Sequence, residues 1–432
     1  MLDMQKRLTK LFYATLSLPS TAMGFALCIQ ISALSWILST RFNLEIHEIG
    51  IVWAAGPLAG IFGQVIVGLI SDDSWFWGGR RRPFILIGGT LAALMVFLLP
   101  RIDVVSQLLG IGNILVVAVI IALTLDLSIN ISFNPTRAII ADLTPEGEAR
   151  TRGYTWMQTI SGFWGVMAYI IGATLGNDVL ISVGAVIVLL FSVLPMFFIK
   201  EPRELAGKAD QGVGQAAEQP QISRADWPQL MRIYIAHGFS WLGVQSMFVY
   251  TYGFIQDKIT PAGLAQAAAD AHSGQVIAYS FAVLNTVGFL LPALVLAPLS
   301  RKLGRVPTQA GCIAIMAAGY FMIAEFARSP MMLYALMAVV GIGWSAIVSL
   351  PFAIMSDKVD KSRMGFFMGV FNLSVVLPQL MSTGVGYVLK DAADKSTLYV
   401  ICGVSLAVSA GLWLLVKDQQ KAPQAVSRGA MH

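Results

Sequence analysis

The stretch DLSINISFNPTRAIIAD, residues 126–142, places acids, two amides and a base inside an apolar run of the chain. At 3.6 residues per turn, Asn130, Asn134 and Arg137 lie about 40°, 80° and 20° around a helix from Asp126, so the four side chains share one stripe. Polar groups on an apolar helix are unfavourable unless they face water or one another. The stretch therefore predicts a helix that presents one face to a polar pathway.

The composition of the whole chain indicates a membrane protein. Of its 432 residues, 56% are hydrophobic and 12% are charged, whereas a typical soluble domain has about 25% charged residues. The mean hydropathy is +0.71. Apolar runs recur about twelve times at roughly 20 residues each, which is the length of a membrane-spanning helix. We predict an all-α polytopic membrane protein with twelve transmembrane helices in two six-helix bundles.

The longest polar interval divides the apolar runs into six and six. We predict an N-terminal bundle at residues 1–199, a cytoplasmic linker at 200–228, a C-terminal bundle at 229–417 and a cytoplasmic tail at 418–432. The two halves repeat one another weakly, since GRRRP (79–83) and GRVP (304–307) follow corresponding runs. Such matching breaks are typical of a parallel duplication, as in transporters built from two six-helix halves.

The positions of the basic residues predict the topology. Most of the 29 Lys and Arg residues lie on one side of the predicted membrane, and the positive-inside rule makes that side cytoplasmic. The exceptions are Arg41, Arg101, Lys258, Arg328, Lys390 and Lys395. We expect a multi-pass protein of the inner (cytoplasmic) membrane with both termini in the cytoplasm. Its partner is then the lipid bilayer rather than a nucleic acid, and we expect it to function as a monomer.

The sequence offers little to support an enzyme. Cys28, Cys312 and Cys402 are far apart, lie inside apolar runs and lack the spacing of metal ligands. Neither a phosphate-binding Gly-rich loop ending in Lys-Ser/Thr nor a Gly-x-Ser-x-Gly motif is present in the chain. We therefore expect no catalytic residues, no metal and no cofactor.

A cluster of charges at the predicted cytoplasmic side suggests a gate. Asp72 precedes a short loop that carries Arg80, Arg81 and Arg82, and the end of the fourth run adds Asp142, with Arg152 shortly after it. Charge-assisted pairs between such groups would hold helices together in one state and release them in another. Alternatively, the arginines only fix the topology. The corresponding loop of the second half, LSRKLGR (299–305), lacks the acid, so the gate would be one-sided.

Several stretches together resemble a known family. They are ALCIQIS (26–32), WAAGP (53–57), Asp72 with GRRRPF (79–84), PTRA (135–138) with ADL (141–143), SLPFA (349–353) and MGVFNLSVVLPQ (368–379). The layout resembles the major facilitator superfamily, and these stretches resemble its sucrose/maltose-type proton symporters within the glycoside-pentoside-hexuronide cation symporter group. The triple arginine before Pro-Phe, at its distance from the acid, is the most specific of them.

The resemblance implies a proton-coupled importer of a disaccharide or related glycoside that works by alternating access, with the proton as the coupling ion. Asp126 would match the acid that couples protons, and Arg137 the arginine linked to sugar-dependent transport. The chain departs from plant members of the group in the seventh run, where their second acid aligns with Thr251 or Tyr252.

Physical reasoning supports a role for Asp126 and adds further candidates. A carboxylate at the middle of the membrane costs at least ~2.5–3.5 kcal/mol and persists mainly where it faces a cavity or an ion path. Sugars need flat apolar surfaces and hydrogen-bonding amides. A single amide is more often a helix-to-helix hydrogen bond, but the set predicts a binding site. The predicted substrate-binding residues are Gln30, Trp53, Gln64, Asn130, Arg137, Trp241, Gln245, Tyr252, Asn372 and Gln379.

Two alternatives to import remain open at this point. An exporter or uniporter on the same scaffold would use the same helices without sugar accumulation driven by inward proton flow. A non-transporting membrane sugar sensor would bind sugar without moving it across the membrane.

Overall fold

The computed structural model describes residues 5–60, 75–145, 148–202, 226–356, 358 and 364–417. Most residues of these ranges are helical, and the β-structure within them consists of a single bridge between Phe76 and Gly79. The predicted site residues Gln64 and Asp72, most of the predicted linker and the predicted tail lie outside the described residues.

The first half contains seven described helices. They are α1 (Lys10–Thr40), α2 (Ile46–Trp53), α3 (Arg82–Leu98), α4 (Ile102–Leu109), α5 (Ile114–Leu143), α6 (Glu148–Leu175) and α7 (Asn177–Phe198). Two of them begin where a polar side chain accepts a free backbone N–H, which is the usual N-cap arrangement. Thr9 accepts from Phe12 at 3.2 Å, and Asn113 accepts from Leu115 at 2.9 Å.

The second half contains nine described helices. They are α8 (Trp227–Lys258), α9 (Gln266–Leu291), α10 (Ala297–Leu303), α11 (Arg305–Phe326), α12 (Pro330–Ile347), α13 (Leu350–Ser356), α14 (Met364–Met381), α15 (Thr383–Asp391) and α16 (Thr397–Trp413). Two breaks between them coincide with prolines, because proline cannot donate a helical hydrogen bond. Pro292 opens a five-residue π-helical turn between α9 and α10, and Pro351 follows the break between α12 and α13.

The longest described helices reach the length of a predicted span. Seven helical segments are long and apolar enough to cross a membrane by length and composition. Two further helices, α6 with 28 residues and α8 with 32, are as long but carry more polar side chains. A membrane helix that lines a polar cavity is expected to be less apolar than one that faces lipid on all sides.

Helix packing repeats between the two halves. In the first half α1 packs against α6 and α7, and α3 packs against α5 and α7. In the second half α8 packs against α14 and α16, and α11 packs against α12 and α16. These pairs occupy corresponding places in the order of spans, so the packing agrees with the duplication that the sequence suggests.

The two ends of the bundle differ in how the halves meet. We call the end that carries Arg80 and Asp142 the arginine end, and the end that carries Glu45 and Lys390 the far end. At the far end, Lys390 forms an ion pair with Glu45 at 3.1 Å, and Gln275 donates to the carbonyl of Ala173 at 3.1 Å. These contacts join the first half to the second, so the far end is closed between the halves.

Candidate functional site

The Asp126 carboxyl group is buried between helices of the first half. Asp126 is 5% exposed, and its Oδ2 accepts a hydrogen bond of 3.0 Å from Nε2 of Gln30 on α1, which is itself 3% exposed. Gly56 of the second span is also close, since a Cβ added to it would stand 3.3 Å from Oδ2 of Asp126. The predicted proton-coupling acid and the predicted amide Gln30 are therefore brought together, at a place where the backbone of the second span approaches closely.

The remaining polar residues of the opening stretch extend along α5 toward the arginine end. Asn130 donates from Nδ2 to the carbonyl of Asp126 at 2.8 Å. Arg137 is an exposed residue, and its guanidinium carbon lies over the ring of Phe133, 4.0 Å from its centroid. Since α5 is continuous through Pro135, eleven residues separate Arg137 from Asp126 by about 16 Å along the axis. The acid and the arginine therefore lie at different depths on one helix.

Trp53 lies beside a hydrogen-bonded connection between the halves. Its indole N–H donates to Oγ of Ser35 at 2.9 Å, and Ser35 in turn donates to the carbonyl of Val249 at 2.8 Å. Trp53 and Ser35 are both buried, at 9% and 1% exposure. The predicted substrate-binding residue Trp53 is thus linked through Ser35 to α8 of the second half.

Two predicted amides of the second half pair with each other. Nε2 of Gln379 on α14 donates to Oε1 of Gln245 on α8 at 3.1 Å. Gln245 is 6% exposed, and Gln379 is half-buried. Asn372 lies two helical turns before Gln379 on the same face of α14 and is also half-buried. The pair is a helix-to-helix hydrogen bond, and Gln379 remains partly exposed.

Trp241 belongs to an aromatic corner, which we define as Trp241, Phe248 and Trp344. The rings of Trp241 and Trp344 are 5.9 Å apart at 85°, and those of Phe248 and Trp344 are 5.4 Å apart at 81°. The indole N–H of Trp344 donates to Oδ1 of Asn285 at 3.3 Å. Trp241, Trp344 and Asn285 are each partly exposed. The corner presents two indole faces at a right angle, a surface suited to a sugar ring.

Trp344 and Asn285 are not among the residues predicted from the sequence. Asn285 lies inside the apolar run of α9, so the reasoning applied to Gln245 and Asn372 would have found it. Trp344 has no such signal, because a tryptophan in an apolar helix is ordinary. Only the packing of α8 against α12 and α9 shows that it faces Trp241.

Tyr252 and Thr251 lie in the helix packing of the second half. The Tyr252 hydroxyl accepts from Nε2 of Gln256 at 2.9 Å and lies 3.3 Å from Oγ of Ser273 on α9. The Thr251 hydroxyl lies 2.8 Å from the hydroxyl of Tyr399 on α16. Thr251 therefore faces α16, and the Tyr252 hydroxyl is used in contacts with Gln256 and Ser273.

The arginine loop at the arginine end is tied to two acids. Nη2 of Arg80 donates to both carboxylate oxygens of Asp142, at 2.9 and 3.0 Å, and Nε of Arg81 donates to Oδ2 at 3.2 Å. Glu201 accepts from the backbone N–H groups of Arg80, Arg81 and Arg82 at distances down to 2.8 Å. The predicted gating residue Asp142 thus pairs with the loop, and Glu201 is a partner that the sequence analysis missed.

Arg82 and Arg152 are the remaining predicted gating residues in the described part of the chain. The guanidinium of Arg82 lies 5.8 Å from the ring centroid of Phe197 on α7. Arg152 is exposed near the start of α6. All the described members of this charge cluster belong to the first half. The pairs therefore connect the arginine loop to the ends of α5 and α7 within one bundle.

The fold and the buried polar residues are those of a polytopic α-helical membrane protein. Residues 16–383 and 259–430 match the sequence profile of the Major Facilitator Superfamily. The chain belongs to this superfamily, and its twelve-helix fold is the one that the sequence predicts.

Curated relatives include sugar transporters at low identity. The sucrose transport protein SUC4 of Arabidopsis thaliana is 23% identical over 390 residues, covering 78% of this chain and 76% of the relative. The sucrose transport protein SUT1 of Oryza sativa subsp. japonica is 24% identical over 487 residues, covering 95% and 88%. A general alpha-glucoside permease of Schizosaccharomyces pombe is 27% identical over 174 residues, covering 36% and 31%.

Solved transporters share the fold. The nucleoside transporter NupG superposes with a TM-score of 0.69 at 12% identity, covering 94% of this chain and 98% of that one. The inward-open xylose transporter XylE from E. coli superposes with a TM-score of 0.67 at 14% identity, covering 95% and 96%. At such identities the likeness concerns the fold alone.

Proposed function

We propose that the chain is a proton-coupled importer of a disaccharide or related glycoside of the sucrose or maltose type. The observation that carries the proposal is the buried pair of Asp126 and Gln30 inside a transporter of this superfamily. Relatives named as sucrose transport proteins match most of the chain, which supports a sugar as the substrate. The protein would lie in the cell membrane with both termini in the cytoplasm and act as a monomer.

Asp126 would carry the coupling proton. Burial favours the uncharged form of a carboxyl group, whereas a hydrogen bond from an amide favours the charged form. When burial and an amide hydrogen bond act on a carboxyl group in opposite directions, it can take up and release a proton as the cavity opens to one side and then to the other. The proton then travels only when the helices around Asp126 rearrange, which is the requirement for coupling.

The sugar would lie between the two halves, where both contribute suitable groups. The first half offers Arg137, which is an exposed residue, and Asn130, which donates to the carbonyl of Asp126. The second half offers the aromatic corner and the pair of Gln245 and Gln379. Stacking on the corner would hold the apolar face of one ring, and the charged and amide groups would bind hydroxyls.

The cavity between the two halves would then open at one end while it closes at the other. The far end is closed by contacts such as Ser35 with Val249 and Lys390 with Glu45. Admission of sugar from that end requires these contacts to open as the arginine end closes. The pairs of Asp142 with Arg80 and Arg81 would keep the arginine loop rigid while the bundle moves.

The test is uptake of labelled sucrose and maltose by proteoliposomes with an inward proton gradient. Accumulation that a protonophore abolishes supports the proposal. Sugar that equilibrates at the same rate with and without the proton gradient indicates a uniporter. Sugar accumulation that occurs only under an outward proton gradient indicates an exporter. Binding of either sugar without flux indicates a sensor. Any of these three results would refute proton-coupled import.

A matched pair of variants assigns the proton to Asp126. Asp126→Asn keeps an oxygen that can accept from Gln30 but cannot carry the proton, so gradient-driven accumulation is lost while exchange of labelled for unlabelled sugar persists. Asp103→Asn removes an exposed acid on α4 and leaves accumulation unchanged. Accumulation that survives in Asp126→Asn would show that the proton is carried elsewhere.

A further inference from the structure

His237 lies one helical turn before Trp241 on α8 and makes direct contact with its indole. Nε1 of Trp241 donates a hydrogen bond of 2.9 Å to Nε2 of His237. His237 is 2% exposed, and its ring stacks on Phe371 of α14 with the centroids 4.8 Å apart and the planes at 14°. The imidazole is thus held on one side by an aromatic ring and on another by the indole N–H.

The direction of this bond fixes the form of the imidazole. Because Nε2 accepts, it carries no proton, and the neutral ring has its proton on Nδ1. Among the described residues Nδ1 of His237 is buried and has no hydrogen-bond partner. A buried donor without a partner is unfavourable for folding. An apolar residue would avoid that penalty, so packing alone does not account for a histidine here.

The bond has a consequence for what Trp241 can offer a ligand. Its N–H is already used, so the accessible part of the indole is its ring face. The N–H of the other indole in the aromatic corner is also used, because Trp344 donates it to Asn285. Two indole faces at 85°, with both N–H groups occupied, form a surface that contacts C–H groups rather than hydroxyls.

We propose that His237 is a positioning residue: by accepting the Trp241 N–H it fixes the indole plane so that the aromatic corner stacks on the C–H face of a glucopyranosyl ring. This inference rests on the proposed sugar transport and names the kind of ring that the site takes. A pyranose with equatorial hydroxyl groups exposes such a flat C–H face, and an aromatic ring fixed beforehand binds it with a smaller loss of side-chain entropy.

Four variants separate positioning from a general structural role. His237→Phe retains an aromatic ring to stack on Phe371 but has no acceptor, and His237→Gln retains an acceptor. Trp241→Phe removes the N–H, and the double variant combines Trp241→Phe with His237→Phe. Each is reconstituted in proteoliposomes, and the KM and kcat for labelled maltose and sucrose are measured with the proton gradient held constant.

We expect His237→Phe to raise KM about fivefold with a smaller change in kcat, in keeping with the loss of one hydrogen bond. His237→Gln should recover most of the affinity. In the Trp241→Phe background, His237→Phe should change KM by less than about twofold, since interacting residues are not additive. An equal effect of His237→Phe in both backgrounds would overturn the proposal, because His237 would then act independently of the indole.

A spectroscopic measurement tests the bond even if neither sugar is transported. The protein is labelled with 5-fluorotryptophan, and the Trp241 resonance is assigned by its absence from Trp241→Phe. His237→Phe should move that resonance, and maltose should move it in the natural sequence but less in His237→Phe. An unchanged resonance in His237→Phe means that the bond is absent and overturns the inference. A third outcome is that the resonance moves in His237→Phe while the natural sequence shows neither sugar uptake nor a shift of the resonance with maltose. That result refutes both the transport proposal and the stacking role, and it supports only the hydrogen bond between Trp241 and His237.

Discussion

Gln30 on α1 donates a hydrogen bond of 3.0 Å to the Asp126 carboxyl group on α5. The bond joins the first and fourth spans, which lie about a hundred residues apart in the chain, and both side chains are almost completely buried. The Gln30 amide thus contacts the proposed proton site directly. Any movement of α1 relative to α5 changes the surroundings of the acid.

Replacement of Gln30 by Leu should impair coupled uptake. A hydrogen bond to a charged group contributes ~1.5–3 kcal/mol, so its loss should lower the initial rate of gradient-driven uptake by about tenfold or more. The measurement is sugar uptake in proteoliposomes at fixed proton gradient. Thr124→Val is the control, because the Thr124 hydroxyl donates to the carbonyl of Ile120 within the same helix. Equal rates in Gln30→Leu and the natural sequence would contradict the importance of this bond.

Replacement of Gly50 by Ala should hinder closure of the far end. A methyl group at Gly50 would overlap the Tyr250 hydroxyl, which donates to the carbonyl of Ser382 at 3.1 Å. The next atom of that ring, Cζ, would be 3.2 Å from the methyl group, so Tyr250→Phe should relieve most of the overlap. We expect Gly50→Ala to reduce uptake severalfold and the double variant to recover it.

The suppression by Tyr250→Phe distinguishes a local overlap from general damage to α2. Access of a thiol reagent to a cysteine introduced at Ser39, which lines the crevice between the halves at the far end, provides a second readout. Gly50→Ala should increase the labelling rate. If Tyr250→Phe restores neither uptake nor protection from labelling, the contact between Gly50 and Tyr250 does not control closure.

The pair of Arg80 and Asp142 should contribute more to stability than the exposed pair of Arg41 and Asp178. The side chains of the first pair are 15% and 13% exposed, and those of the second are 41% and 53% exposed. Double-mutant cycles with Ala, read from thermal unfolding in detergent, should give a coupling energy of ~1–2 kcal/mol for the first pair and less than ~1 kcal/mol for the second.

Salt provides the check on that comparison. Screening acts mainly on exposed charges, so added salt should reduce the coupling of Arg41 with Asp178 more than that of Arg80 with Asp142. Equal coupling energies for both pairs, with equal sensitivity to salt, would show that burial at the arginine end does not strengthen its ion pairs.

Replacement of Gly88 by Ala should loosen the contact between α3 and α5. A Cβ at Gly88 would lie 2.6 Å from the carbonyl oxygen of Ser128 and 2.9 Å from Cβ of Ser132. Overpacking of this kind costs ~1–3 kcal/mol, so the unfolding temperature should fall. Gly411→Ala is the matched control, because nothing lies within 4 Å of its added Cβ and alanine favours a helix by up to ~1 kcal/mol. A stability change of the same sign in both variants would exclude the close contact as the cause.

Much of the fold follows from local sequence, as α5 illustrates. Its apolar residues require the helix to satisfy its own backbone hydrogen bonds in lipid, and the stripe of Asp126, Asn130, Asn134 and Arg137 specifies one face. The duplication is also visible in sequence, because the breaks at Gly79 and Gly304 mark corresponding positions. Within the described residues, the repeated pairing of α3 and α11 with their neighbours agrees with this reading.

The candidate site was predictable only in part. Gln30 and Asp126 were both candidates from sequence, since each is a costly polar group in an apolar run, but nothing in the sequence specifies that they touch. Trp344 and Glu201 gave no such signal, because a tryptophan in a membrane helix and an acid at a helix end are both common. Tyr252 had the correct chemistry on a helical wheel, yet its hydroxyl faces Ser273 and Gln256.

The sequence by itself determined the helices, their location in a lipid bilayer and the polar stripe of α5 that must avoid lipid. These features depend on the free energy of placing each side chain in hydrocarbon. The tertiary structure decided which polar groups become partners. Gln30 faces Asp126, Trp241 faces Trp344, and Asp142 faces the arginine loop only because helices distant in sequence pack at particular rotations. Those rotations depend on interhelical close packing, such as Gly88 against Ser128, which no single segment encodes.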